Sequence, residues 1–527
     1  MKSSNFELVT KTSAVDRMLL PRSSKIIPSS NEDNEGFEGE ESNLSVIHSS
    51  RLFKSDSLLE RFLKETEKME NSPKPASPIV NNQRKIFNSD SFIVAIRPII
   101  VLAQCFALLP VDGTNTTDAR EIKFTWKSLK VFYCFVATIG TAVLTGFSIH
   151  GVATSTITSK KTTNVVFFAT TGVTTLLLLK LARKWPEFSV TWQNMEQELS
   201  MRRNRRISKY SLAAKFKIIT FIIMMLAALE HTLSILSGYV SAVECTALKN
   251  DTDIMIAYFT YHYPQILKSS TFTIWQGILV QFVNILSTFS WNFIDLFLIL
   301  ISIAATDQFR QLNSRLYAIR GKHCFVVKAM PEWWWAEARI DFNRLSTMTR
   351  YIDSHISDIV LLSFSTNLYF ICIQLLHSFN FLEWQVFSSP MRNAVQTTYF
   401  CFSFGFLLVR TAAVSLFAAG VHDESVLAAP ILYSVSTSNY SPEVDRFLTQ
   451  VTTDNISFTG MKFFSITRGL VLTVCKGKKK KKLIFKINFF YTFQVAGTIV
   501  TYELVLVQFN SVQQNEPSNI TKVCELK

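Results

Sequence analysis

Glu230 and His231 stand side by side in a mostly apolar run, 216–240. An ionisable group inside such a run is costly to bury, so it marks a functional site by default. Two other apolar runs carry similar groups. Gln374 and His377 lie three residues apart near the end of 358–379, on one face if the run is helical. Trp275 and Gln276 open the run 272–305. Carboxylate, imidazole and amide groups bind hydroxyls, and an indole face covers C–H surface, so these six residues are candidates to hold a ligand. For each of them singly, a hydrogen bond between helices is the competing reading. A second set lies near the C-terminus, where Thr501, Tyr502 and Gln508 are polar residues in an apolar stretch ending at Phe509. Thr501, Val505 and Gln508 are spaced four and three apart and share one helix face. Such a face, polar at both ends and aliphatic between, suits a wet path with a hydrophobic gate. Hydrogen bonding between helices is again the alternative.

None of these groups forms an enzyme constellation. The chain has no P-loop, HExxH, GxSxG or glycine-rich nucleotide loop. Its eight cysteines show no CxxC or Cys/His spacing, so no metal or cofactor is expected. The elements that must position the candidates are membrane spans. Of 527 residues 48% are hydrophobic and only 18% charged, where a soluble domain carries about 25%. The net charge of +14 is not gathered on one domain, as a nucleic-acid binder would have it. Lys and Arg fall instead between apolar runs, and a nucleic-acid partner is not expected.

Seven runs approach or exceed the ~20 residues that cross a bilayer. They are 131–153, 164–181, 216–240, 272–305, 358–379, 395–419 and a last one ending at Phe509. The loop after the second run holds Arg183, Lys184, Arg202, Arg203, Arg205 and Arg206, and that after the fourth holds Arg310, Arg315, Arg320, Lys322 and Lys328. Basic loops stay in the cytoplasm, which places the N-terminus inside and the C-terminus outside. Lys160 and Lys161 in the first outer loop are a small contrary signal.

The expected organisation follows. Residues 1–90, polar and without a signal peptide, form a disordered cytoplasmic tail. Residues 91–129 form an interfacial segment before the first span. Spans one to six and their cytoplasmic loops occupy 130–440. An anchor helix and the seventh span occupy 441–510, and 511–527 is an outer tail. Asn250 and Asn519 are sequons on the outer side, and Cys245 and Cys524 lie where a disulfide is permitted. Asp295 lies deeper in the fourth run and is read as structural. Trp333, Trp334 and Trp335 are read as an anchor at the inner headgroup level.

Several segments carry a family signature. TYELVLVQF (501–509) resembles the TYhhhhhQF motif of insect gustatory receptors, with h hydrophobic. RPIIVLAQCFALLPVDG (97–113) resembles that family's segment before the first span. DQFRQLNSRL (307–316), PEWWWAEAR (331–339), VLLSFSTNLYFICIQL (360–375), VHDES (421–425) and FFSITR (463–468) resemble its sugar-receptor branch. The resemblance implies an all-α membrane protein of seven spans, one subunit of a tetrameric cation channel gated directly by a sugar. It implies homomeric or heteromeric assembly with related subunits in the plasma membrane of sensory neurons. The last span would line the pore, with Thr501, Tyr502, Val505, Gln508 and Phe509. The ligand would sit in a pocket open to the outside, where Glu230, His231, Trp275, Gln276, Gln374 and His377 would converge. A G-protein-coupled receptor is the alternative, opposed by the loop charges, and a transporter is a lesser one without an internal repeat.

Lys476 and the run Lys478–Lys482 interrupt the seventh span. A charge at mid-bilayer costs about 2.5–3.5 kcal/mol, so these lysines do not cross the membrane. Either they form a cytoplasmic collar with the span starting near Leu483, or 474–494 is a retained intron. Joining Thr473 to Val495 restores RGLVLTVAGTIVTYELVLVQF, an uninterrupted helix. The mature transcript is therefore expected to join these two codons. Sequencing across the junction decides it, and lysine codons in most messages would make the segment a real collar.

Overall fold

The computed structural model describes residues 91–116, 118–154, 159–200, 211–249, 253–263, 273–319, 329–384 and 390–468. The N-terminal tail, the lysine run, the seventh span and all five pore-lining candidates lie outside them. The described chain is almost wholly helical. It comprises α1 Phe92–Cys105, α2 Leu129–Ala153, α3 Ser159–Ser200, α4 Leu212–Lys249, α5 Ile254–His262, α6 Ile274–Ala318, α7 Glu332–Trp384, α8 Pro390–Val426, α9 Ala429–Tyr433 and α10 Pro442–Thr453. A short antiparallel hairpin follows, β1 Thr459–Gly460 and β2 Phe464–Ser465.

Six of these helices, α2, α3, α4, α6, α7 and α8, are long and apolar enough to cross a membrane. They match the first six runs read from sequence, but most extend well beyond them. The 53 residues of α7 span roughly 80 Å against the ~30 Å of hydrocarbon. Periodicity of apolar residues stops at the membrane edge, whereas the helix continues where a protein partner replaces the lipid. In α6, 83% of the most apolar stretch is buried, against 22% in α4, so α6 is the central helix.

The parts of the helices beyond the apolar runs pack on α1 and α10. Glu196 of α3 is buried and collects four donors. Phe92 N–H (3.2 Å) and the Ser91 hydroxyl (2.8 Å) come from the start of α1, the Trp192 indole N–H (3.0 Å) from α3, and the Gln308 amide (3.1 Å) from α6. A carboxylate at a helix N-terminus meets unsatisfied N–H groups and the positive end of the dipole. Phe92 stacks on Trp192 at 4.1 Å between ring centroids, and its helix buries Ile96, Ile99 and Ile100 in the bundle. The three adjacent tryptophans divide: Trp335 is 1% exposed in the core, whereas Trp333 is 66% exposed. A helix turns 100° per residue, so neighbours in sequence cannot share one environment. Asp353 of α7 ties down the hairpin, accepting Thr459 N–H at 2.6 Å and its hydroxyl at 2.8 Å.

Within the spans, Asp295 of α6 and Arg410 of α8 are each 1% exposed and form an ion pair at 2.8 Å. Asp295 also accepts the Ser363 hydroxyl (2.5 Å) and the Asn367 amide (3.0 Å) from α7. Arg410 donates to Asn292 and to Asn367 and lies 4.1 Å from the Trp291 ring centroid. One cluster thus joins three spans. Replacing Arg410 by Ala leaves Asp295 buried without its counter-charge, and breaking such a pair costs about 3–5 kcal/mol. Arg410→Ala is expected to lower the thermal unfolding temperature of the solubilised protein sharply, with much of it recovered in the Asp295→Asn, Arg410→Gln double variant.

Candidate functional site

On α4, Glu230, Ser234, Ser237, Ser241 and Glu244 recur at steps of four and three. On α8, Arg392, Gln396, Tyr399 and Ser403 do the same. That spacing puts each set on one helix face, and the two faces meet antiparallel as a polar seam. Arg392 pairs with Glu244 at 3.1 Å, and the Gln396 amide donates to Ser241 Oγ at 3.2 Å. Tyr399 reaches Ser234 and Ser403. The Ser403 hydroxyl donates to Glu230 Oε1 at 2.6 Å, and the Gln374 amide of α7 donates to Ser403 Oγ at 3.3 Å. From Glu244 to Glu230 the seam runs about 21 Å. Two turns beyond Ser403 on α8 comes Arg410, with the Asp295 cluster.

The seam is incompletely satisfied. Glu230 is 8% exposed, yet its Oε2 has no partner, and neither has Gln374 Oε1. A buried carboxylate oxygen without a donor is expensive. Both orphaned atoms are acceptors, so the arrangement is suited to a guest that brings hydroxyl or N–H donors.

Of the six residues singled out from sequence, the hydrogen bonds bring Glu230 and Gln374 together, through Ser403. His231 faces elsewhere: its Nε2 lies 3.4 Å from the Gln281 amide of α6. Gln281 in turn accepts the Tyr263 hydroxyl at 3.0 Å, just after α5. Burial, with Tyr258 nearby, pushes the Tyr263 phenol above its ordinary range, so it remains a donor. Trp275 is 79% exposed. Gln276 accepts the Thr273 N–H at 3.4 Å, closing the first turn of α6. His377 is on the exposed side of α7. Helix α5 lies over the ends of α4 and α6 above two glycines. A Cβ at Gly238 would come within 2.9 Å of the His262 ring, and one at Gly277 within 2.8 Å of the Phe259 ring.

A profile described as Trehalose receptor matches residues 64–477. The chain belongs to the trehalose receptor family. It is 32% identical over 431 residues to the gustatory receptor for sugar taste 64f of Drosophila melanogaster, covering 81% of this chain and 83% of that one. It is 31% identical over 439 residues to gustatory receptor 5a for trehalose of the same fly, covering 82% and 88%. The receptor's fold resembles that of the insect olfactory receptor OR5 from Machilis hrabei, with a TM-score of 0.50 at 12% identity over 79% of this chain and 97% of that one. The receptor is thus a multi-pass membrane protein, and its family is one of receptors.

The residues missed from sequence are Ser403, Tyr399, Gln396, Gln281 and Arg410. For the four on α8 the signal was the step of three and four along that helix, which single polar residues in an apolar run conceal, whereas Gln281 is on α6. Ser403→Ala removes the bridge between Glu230 and Gln374, stranding a buried acceptor and donor. The expected loss is about 1–3 kcal/mol, read as a lower thermal unfolding temperature, with Ser403→Thr close to the parent.

Proposed function

We propose that the receptor detects a sugar, with the α4–α7–α8 seam as the heart of its pocket. The observation that carries this is the pair of orphaned acceptors, Glu230 Oε2 and Gln374 Oε1, in a buried polar seam. Sugar hydroxyls are donors that complete both. Relatives described as receptors for sugar taste and for trehalose support the class of ligand. His231, Trp275, Gln276 and His377 belong to the wider mouth, on the side where α5 lies.

The receptor works as a ligand-gated, non-selective cation channel, with its N-terminus inside and C-terminus outside. Four subunits, identical or related, surround a pore lined by the seventh span through Thr501, Tyr502, Val505, Gln508 and Phe509. It acts in the plasma membrane of taste neurons. The loop charges and the TYELVLVQF segment support this reading. The family match ends at residue 477, beside the lysine run, which supports treating 474–494 as foreign to the fold.

Recording from excised patches without GTP is the test. Sugar-evoked current is expected to persist, whereas a response that needs GTP would make this a metabotropic receptor and flux without channel-sized current a transporter. In the same patches Glu230→Gln is expected to raise the half-maximal sugar concentration roughly 10- to 100-fold, the weight of a hydrogen bond to a charged group. Gln508→Ala is expected to alter conductance instead.

A further inference from the structure

We propose that a cleft between α3 and α7 binds the phosphate of an anionic phospholipid. The cleft has a volume of about 50 Å³ and is lined by Lys180 and Lys184 of α3 and by Ser354, His355 and Asp358 of α7. At the ~10–15 Å³ that one water needs, this is room for a few waters, or one phosphate group. It lies at the edge of the hydrocarbon, since Lys180 is one residue short of the end of the second apolar run and Asp358 begins the fifth. Lipid phosphates sit at that depth.

The charges favour an anion. Lys180 Nζ pairs with Asp358 at 2.6 Å, which neutralises the acid in the cleft. Lys184, one turn on, is exposed and has no partner among the described residues. Glu187, on the next turn, makes no ion pair with it. The Ser354 hydroxyl, now donating to the Tyr351 carbonyl at 2.7 Å, can turn toward a phosphate oxygen. His355, also in the lining, donates its Nδ1–H to the same carbonyl at 2.9 Å.

The surface of α3 points to a lipid rather than a free anion. Val173 and Leu176, at the i−7 and i−4 positions from Lys180, are 43% and 50% exposed on the same helix face. Apolar contact leading to two ammonium groups reproduces the shape of a phospholipid, acyl chain first and phosphate last. Basic pockets between spans on the cytoplasmic side bind lipid headgroups in this way. The inner leaflet follows from the orientation proposed above, but binding itself does not depend on it.

The test uses the full-length receptor in detergent, thermally unfolded with added phosphatidic acid, phosphatidylserine, phosphatidylcholine or inorganic phosphate. Phosphatidic acid, with its single terminal phosphate, is expected to protect saturably and more than phosphatidylserine. Lys184→Gln, at an exposed and unpaired site, is expected to unfold normally without lipid and to weaken the protection about fivefold in concentration. Equal protection by both anionic lipids, unaffected by Lys184→Gln, would overturn the site. Protection by inorganic phosphate alone, lost in Lys184→Gln, would overturn the lipid and leave a soluble anion. The readout needs neither sugar nor current, so its failure is separate from that of the proposed function.

Discussion

A charge inside a membrane-spanning bundle has no water to fall back on, and the Asp295–Arg410 pair organises the fold around that constraint. Each group is buried, and each is useful only while the other is within reach. Asp295 is on the central helix and Arg410 on α8, while Ser363 and Asn367 of α7 saturate the remaining oxygens. Three spans are thereby held at one mutual depth and rotation. Apolar packing alone would let them slide, since lipid and leucine are nearly equivalent neighbours.

The polar seam inherits its geometry from that fixed point. Arg410 and Ser403 are two turns apart on the same face of α8, so setting one sets the other. The seam therefore meets α4 in register, pairing Glu244 with Arg392 at one end and Glu230 with Ser403 at the other. Its two unfilled acceptors, Glu230 Oε2 and Gln374 Oε1, lie at the end of the seam nearer the Asp295–Arg410 cluster. The ion-pair cluster holds α6, α7 and α8, and the seam adds α4 to that set through Ser403 and Glu230.

At the other end of the helices the logic reverses. There stability comes from a packed core of aromatic and aliphatic residues closed by ordinary ion pairs. Glu196 anchors the start of α1 against α3 and α6, and Asp353 fastens the hairpin. The hairpin turn places Met461 and Lys462 at φ 48° and 61°, a left-handed conformation that non-glycine residues adopt only when their surroundings hold them.

The sequence by itself determined the membrane class, the first six spans and the residues costly enough to bury that they needed a reason. Those follow from composition and from runs of apolar length, which depend on nothing beyond the chain's own order. Glu230 and Gln374 were legible because a charge or amide in an apolar run stands out. Their partner Ser403 was not, because a single serine in a span is common and its weight comes from what it faces. The reach of α7 beyond its apolar run was hidden too, since nothing in the order of that stretch shows that α10 and the hairpin pack against it. His231 shows the same limit: adjacent to Glu230 in sequence, it points to Gln281 and not to the seam, because a helix turns neighbouring side chains 100° apart. Which polar residues converge is decided by how helices meet, and that is a property of the tertiary structure alone.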